Sequence, residues 1–420
     1  LATPLGLGLQ ENWQKALGGV SGVTQLELPG AEHCPVQAAG VVAQNDWRKI
    51  TDEFPKEASV HQERRTLFAL WAAQSALVDA ALINEHESGG AGVVLAAGLG
   101  ICRLEDIHRW VGTGGEFDFM RFGLESALLS GESFIRNPAH RAAALIARKF
   151  RLRGGNCTVT SACASATQAI GIGHRLIQDG ESDWVLAGGA DSMVHPTGVV
   201  GFLLLQAAAT ACEDPKAACR PFDRKRSGLV IGEGAGIAVL EDALHARARG
   251  ARIYAEVAGY GSSMDAYQVT APHPSGQGAA LSMAAALRDA DLDAHRISYI
   301  NAHGTGTKLN DVAETLAIKA VFGEKARQVP ISSSKSLIGH LMAAAGGPEF
   351  VFTVLSVHTD EIHPTINLTH ADSKCDLDYV PNVKRIARVQ AALSNSFGFG
   401  GQNASILVKK YGGDAGLSRN

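Results

Sequence analysis

Apolar positions along the chain follow two periods in turn. Short β-branched or small apolar runs stop at glycine or small polar residues, and longer stretches with apolar positions at helical spacing follow them. Cys157–Thr160 reads as a strand, Ala164–Gln178 as the helix after it and Trp184–Ala187 as the next strand. Upstream, a helix around Glu11–Leu17 and a strand near Val36–Val42 precede a long helix over Glu63–Ile83. In that helix Leu67, Leu70, Trp71, Leu77 and Val78 make one apolar face. Val93–Ala97 predicts a strand ending at Gly98 and Gly100, and Ala139–Phe150 a helix. Phe117–Pro138 has no clean period and reads as irregular with short helices, either a wall of a hydrophobic pocket or a cap over the core.

The alternation returns downstream. A helix near Gly198–Ala208 leads to a tight glycine turn, Gly232–Gly236, opening a strand over Gly236–Glu241. After a helix over 243–253 come strand Ile253–Tyr260, helix Leu281–Ala290, strand Ile297–Ala302, helix Val312–Val321 and strand Gln328–Ser332. Gly339–Val357 predicts a very apolar helix buried on most sides, and Arg388–Asn395 and Ala404–Lys409 two strands joined by SFGFGGQN. This rhythm is that of an α/β protein in two related halves, although no residue-level repeat joins them. The tail after Lys410 reads as frayed.

Composition narrows the function classes. The 420 residues carry 46% apolar and 19% charged side chains, which suits a large globular core. With 38 basic and 42 acidic residues the net charge is -4 and no basic stripe appears, so nucleic acid is not an expected partner. The most apolar run, Val199–Ala209, is short and broken by Gln206, so no membrane span is expected. Seven scattered cysteines without a CxxC pair fit a reducing, cytoplasmic setting. Leu1 is not an initiator residue, so a few residues are expected in front of it.

Candidate chemistry gathers at strand ends, where open α/β sheets place their ligands. Cys163 falls where a strand gives way to a helix, next to the unpaired N–H groups of a first helical turn, a setting for a nucleophile; a small buried core residue is the alternative. His303 and His340 sit beside glycines in NAHGTGT and SKSLIGH, without the spacing of a zinc site. Two neutral imidazoles near Cys163 would donate hydrogen bonds to an oxyanion, or each would be structural. Lys335 either tunes its neighbours or is an ordinary lysine. Asp311 and Glu314 have the spacing of a capping box. Thr305 and Thr307 alternate along an extended segment, and Phe397 and Phe399 flank a glycine as a gate or a core plug.

TSACASA with Cys163, NAHGTGT, SKSLIGH, RPFDRKR at 220–226, GEGAG at 232–236 and SFGFGG at 396–401 together resemble the beta-ketoacyl-acyl carrier protein synthases, in order and over about residues 2–410. The resemblance implies a thiolase fold, two halves at 1–250 and 251–412 in a five-layered α-β-α-β-α arrangement, with 413–420 a flexible tail. It implies decarboxylative condensation of malonyl-acyl carrier protein with an acyl group held on Cys163, extending a polyketide, polyene or fatty acyl chain by two carbons. By position, His303 and His340 polarise the malonyl thioester, and Lys335 organises His340 and Glu314, with Asp311 in support. The N–H groups of Cys163 and Phe399 form the oxyanion hole, Thr270, Thr305 and Thr307 bind pantetheine, and Phe202, Phe397 and Phe399 line or gate the acyl pocket. No cofactor is bound covalently, the phosphopantetheine arm of acyl carrier protein carries the substrate, and the enzyme is a homodimer or pairs with a chain-length-factor-like homologue. Departures lie at Gln206, Ser227 and Gln268, and HGTGTKLND is closer to specialised polyketide or polyene members than to housekeeping elongation synthases. A non-catalytic partner subunit is the alternative from another class.

Overall fold

The computed structural model describes the chain except residues 29–32, 62, 84–89, 101–106, 129–130, 132–137, 211–212 and 413–420. The expected tail over 413–420 and much of 129–137 therefore lie outside the described residues. Among the described residues, one mixed sheet contains β1 (Ala2–Thr3), β2 (Gly6–Leu7), β3 (Val23–Gln25), β4 (Ala38–Gly40), β5 (Gly92–Ala97), β6 (Asn156–Val159), β7 (Trp184–Ser192) and β8 (Ile231–Glu241). Its main path runs β2-β1-β8-β7-β5-β6, with β5 parallel to both β6 and β7, and β7 antiparallel to β8. A second sheet contains β9 (Glu256–Met264), β10 (Tyr299–Asn301) and β11 (Ile331–Ser332). A small ribbon pairs β12 (Glu361–Ile362) with β13 (Arg385–Ile386), and β14 (Ala391–Phe397) and β15 (Gln402–Lys409) complete the second sheet in the order β11-β10-β14-β15-β9.

Period-two alternation assigns the layers. In β5, Val93 and Leu95 pack outward under the Arg64–Asp79 and Arg141–Phe150 helices, while Val94 and Ala96 face inward. The inward core holds Ala166, Ala169 and Ile170 of the Ser165–Gln178 helix and Phe350, Phe352 and Leu355 of the Gly346–Thr359 helix. Ile406 and Val408 of β15 close it from the second sheet. Leu407 points the other way, to Met283 and Ile318 on the Gln277–Asp289 and Lys308–Phe322 helices. The result is the expected five layers, with two helices sandwiched between the sheets.

Three local expectations are corrected. Gly232–Gly236 is not a turn but part of β8, because the inner helix begins against that strand: a Cβ on Gly236 would lie 2.2 Å from Pro348 N. The predicted Gly339–Val357 helix is interrupted, and only Gly346–Thr359 is α-helical, after a 3-10 turn at Met342–Ala344. Gly339 (φ 73°) and Met342 (φ 49°) adopt left-handed backbone, and His340 between them bridges to Ile231 of β8. The helix near Gly198–Ala208 spans Pro196–Leu204, capped by His195, whose ring accepts from Gly198 N.

Candidate active site

Cys163 lies just past β6, at the N-terminal end of the Ser165–Gln178 helix. The turn is tight. Ala162 takes φ 49°, and Ser165 Oγ accepts from Ser161 N at 2.8 Å while donating to Ala162 O at 2.6 Å. The SFGFGG segment closes over it, since a Cβ on Gly398 would stand 3.0 Å from Cys163 N. The side chain is buried, with the N–H groups of Phe399 and of Cys163 itself directed at the sulfur. Burial pushes the thiol up to about 11, although the Lys335 charge and the Phe399 N–H pull the other way.

His303 follows β10 and His340 follows the short Lys335–Ile338 helix, so two neighbouring parallel strands, β10 and β11, deliver both rings. The ring centroids are 5.4 Å apart, nearly perpendicular, and a nitrogen of each ring and the Cys163 sulfur all lie within 4.8 Å of one another. His303 Nδ1 accepts from Lys335 Nζ at 3.2 Å, and His340 Nδ1 accepts from Met342 N at 3.0 Å. Each ring therefore carries its proton on Nε2. Burial and the Lys335 charge hold both rings well below their ordinary pKa, so they are neutral donors at pH 7. His340 Nε2 is buried without a hydrogen-bond partner among the described residues. The spacing of this trio would admit a metal ion, but with Nδ1 of each ring accepting a hydrogen bond, the remaining ring nitrogens carry N–H rather than a lone pair.

Lys335 is fully buried, and its ammonium pairs with Glu349 of the inner helix. Its direct partners are thus His303 and Glu349, while the expected partners His340 and Glu314 feel its charge without a hydrogen bond to it. Glu314 instead accepts from the backbone N–H groups of His303 and Gly304, both at 2.8 Å, and fixes the loop behind the imidazole. Burial pushes both Glu314 and Glu349 up to about 7, against backbone N–H groups in one case and Lys335 in the other. The capping box is also overturned: Thr307 caps the Lys308–Phe322 helix, accepting from Asn310 N. Asp311 is fully buried, accepts from Phe222 N at 2.8 Å and stands 3.6 Å from Arg226, so it anchors the 220–226 segment beneath the His303 loop.

The hydroxyls of Thr305 and Thr307 are 2.9 Å apart, and positive φ at Gly304 and Gly306 makes their segment a curled loop rather than an extended one. Thr270 is exposed on a loop held to the SFGFGG turn through Gly400 N and Val269 O at 2.6 Å. Phe399 packs in one cluster with Phe202 and Met342, whereas Phe397 is buried against the His303 ring at 5.9 Å. Sequence reasoning missed Glu349, and its signal was present: one acid in the apolar run GGPEFVFTVL needs a buried cation. It also missed the Met342 N–H, which only the broken helix exposes. A separate space of about 740 Å³, lined by Trp71, Leu240, Tyr254 and Val351, lies away from this site.

The comparisons with known proteins agree with this geometry. The profile of the beta-ketoacyl synthase N-terminal domain matches residues 1–246 and that of the beta-ketoacyl synthase C-terminal domain residues 254–369. The 3-oxoacyl-[acyl-carrier-protein] synthase 2 of Synechocystis sp. is 41% identical over 412 residues, 97% of this chain and 96% of its own. A putative mitochondrial 3-oxoacyl-[acyl-carrier-protein] synthase of Schizosaccharomyces pombe is 39% identical over 97% of each chain. Among solved structures, a type II PKS ketosynthase in complex with its acyl-carrier protein superposes with TM-score 0.86 at 33% identity, covering 98% of this chain and 97% of that one. A beta-ketoacyl synthase from Burkholderia phymatum STM815 does so with TM-score 0.84, at the same identity and coverage. With both halves matched and the cysteine and two histidines converging between the sheets, the chain belongs to the beta-ketoacyl synthase family.

Proposed function

We propose that the protein extends acyl chains by decarboxylative Claisen condensation, joining an acyl group on Cys163 to two carbons from malonyl-acyl carrier protein. The observation that carries this reading is a buried thiol beside two imidazoles that both present N–H. In the first step the Cys163 sulfur attacks an acyl thioester, and the oxyanion forms against the N–H groups of Cys163 and Phe399. The carbon–sulfur bond to the pantetheine arm breaks, and the thiol proton leaves on the pantetheine sulfur. In the second step the malonyl thioester oxygen accepts from Nε2–H of His303 and His340. The bond to the carboxylate breaks, carbon dioxide leaves, and its electron pair forms an enolate that the two N–H groups stabilise. The enolate carbon attacks the acyl-cysteine, releasing the Cys163 thiolate and the β-ketoacyl product. Decarboxylation supplies the carbanion, so donors matter more than a strong base.

The phosphopantetheine arm of acyl carrier protein serves as substrate carrier, its amides meeting Thr305, Thr307 and the Thr270 loop. Phe399 and Phe202 border the acyl pocket, while Phe397 backs His303. Residues 1–250 and 251–412 act as two thiolase-like halves, in a homodimer or beside a chain-length-factor-like homologue, in the cytoplasm. Two solved relatives support the partners: one is a ketosynthase with its acyl-carrier protein, the other a ketosynthase/chain length factor. No helix among the described residues is long and apolar enough to cross a membrane. The curated relatives are named 3-oxoacyl-[acyl-carrier-protein] synthases and one solved relative is a type II PKS ketosynthase, so the class of chain is read from the product.

Incubation with acyl- and malonyl-loaded acyl carrier protein should yield a β-ketoacyl product two carbons longer and an acyl adduct on Cys163 seen by mass. Both should vanish in Cys163→Ala. A wild type that takes no acyl group overturns the reading in favour of a non-catalytic subunit.

A further inference from the structure

His340 owes its donor tautomer to one backbone N–H, that of Met342, and this N–H belongs to a turn with unfavourable local conformation. Met342 has φ 49°, a left-handed value that side-chain-bearing residues adopt only when surroundings impose it. The next residue is where the turn is held: Ala343 N donates to Asp191 Oδ2 at 3.0 Å, in a fully buried contact. Asp191 comes from the far end of β7, on the nucleophile's sheet, and its other oxygen accepts from Ser192 N at 2.8 Å. Arg65 contributes a favourable charge from the Arg64–Asp79 helix, and is itself anchored to Glu63 and to Gly98 O. Gly98 leaves room for the carboxylate, since a Cβ there would stand 2.4 Å from Asp191 Oδ2.

We propose that Asp191 is a positioning residue for His340: by holding Ala343 N–H it keeps the Met342 N–H aimed at Nδ1, and so keeps the proton on the Nε2 that meets the substrate. This rests on the condensing reading, in which His340 donates to the malonyl thioester. Without the carboxylate the turn relaxes, Nδ1 loses its donor, and the ring populates the tautomer or rotamer that turns a lone pair toward the substrate oxygen. Acyl transfer to Cys163 uses the N–H groups of Cys163 and Phe399 instead, so it should not register the change. The two half-reactions thus report separately.

The experiment compares wild type, Asp191→Asn and Gly98→Ala in two assays: acylation of Cys163 by acyl carrier protein, followed by mass, and carbon dioxide release from malonyl-acyl carrier protein. Asp191→Asn is expected to lower kcat for decarboxylation about tenfold at unchanged KM, the equivalent of one charge-assisted hydrogen bond, with acylation within a factor of about two. Gly98→Ala, which crowds the same carboxylate from the opposite side, should give the same split, and stands in if the asparagine variant fails to fold. Equal losses in both assays would make Asp191 a purely structural residue and overturn the proposal, as would full decarboxylation in both variants. A wild type that acylates Cys163 but releases no carbon dioxide would instead overturn the condensing reading, and this role with it.

Discussion

Cys163 leaves its sheet among alanines, serines and glycines, whereas His303 and His340 leave theirs beside a buried lysine and two buried glutamates. The nucleophile's exit is shaped by steric closeness: a left-handed Ala162, a serine knot and a glycine pressed on the backbone. The histidines' exit is shaped by charge, with Lys335, Glu349 and Glu314 all out of water. The difference matches the division of labour proposed. Acyl transfer needs a shaped oxyanion pocket made of backbone N–H groups, while enolate formation needs side-chain donors with fixed protons, and the buried Lys335 ammonium fixes the one on His303.

Separating the two exits is the most severe test. Cys163→Ala should abolish the acyl adduct and cut condensation by about 10³-fold or more, yet leave carbon dioxide release from malonyl-acyl carrier protein measurable. His303→Ala should do the reverse, keeping the adduct and lowering decarboxylation by about 10²-fold. If either variant loses both half-reactions equally, the exits are one unit and the comparison breaks.

Next in size is the ion pair. Lys335→Met leaves Glu349 buried without its cation and should cost about 3–5 kcal/mol in chemical denaturation. The double variant Lys335→Met/Glu349→Leu should recover most of that stability but not decarboxylation, because His303 Nδ1 still lacks its donor. Recovery of activity together with stability would show that the pair is only a core element.

How much of this was legible in the sequence follows the same line. The strand-to-helix turn at Cys163 and the alternation of layers were readable, because they depend on local period and on small residues in sequence order. The glycine run at 232–236 misled, since what presses on it is remote in sequence: Ile338 against Gly232, Ala2 against Gly234 and the start of the inner helix against Gly236. The Asp311 and Glu314 spacing misled for a related reason: both carboxylates face backbone N–H groups of loops, and Thr307 caps the helix without them. Lys335 was given Glu314 by the family resemblance, whereas its ammonium pairs with Glu349, which reaches it from the inner helix beyond the break at Met342.

A smaller effect sharpens the contrast at the thiol. With its pKa pushed up to about 11 by burial, Cys163 is protonated at neutral pH, so the thiolate fraction rises with each step toward that value. Iodoacetamide labelling of Cys163 should therefore accelerate about tenfold per pH unit between roughly pH 7 and 9. A rate already level at pH 7 would mean that the Phe399 N–H, the helix end and Lys335 outweigh burial, and that the two exits are electrically coupled.

The smallest test concerns the helix behind Cys163, which touches both sheets. Gly171 and Gly173 weaken it intrinsically, and their expected role is close packing. A Cβ on Gly171 would lie 2.4 Å from the ring of Tyr260 on β9, while one on Gly173 would meet Ala187, Leu240 and Val185 of the first sheet at 3.2–3.3 Å. Alanine gains about 1 kcal/mol of helix propensity at either position. At Gly171 a rigid ring must move, an overpacking cost of about 1–3 kcal/mol that outweighs the gain. At Gly173 the neighbours need shift only slightly, and the gain cancels the strain. Gly171→Ala should thus lower stability in denaturation while Gly173→Ala stays near wild type. If the order is reversed, the helix is seated on the nucleophile's sheet and merely rests against the histidines' one.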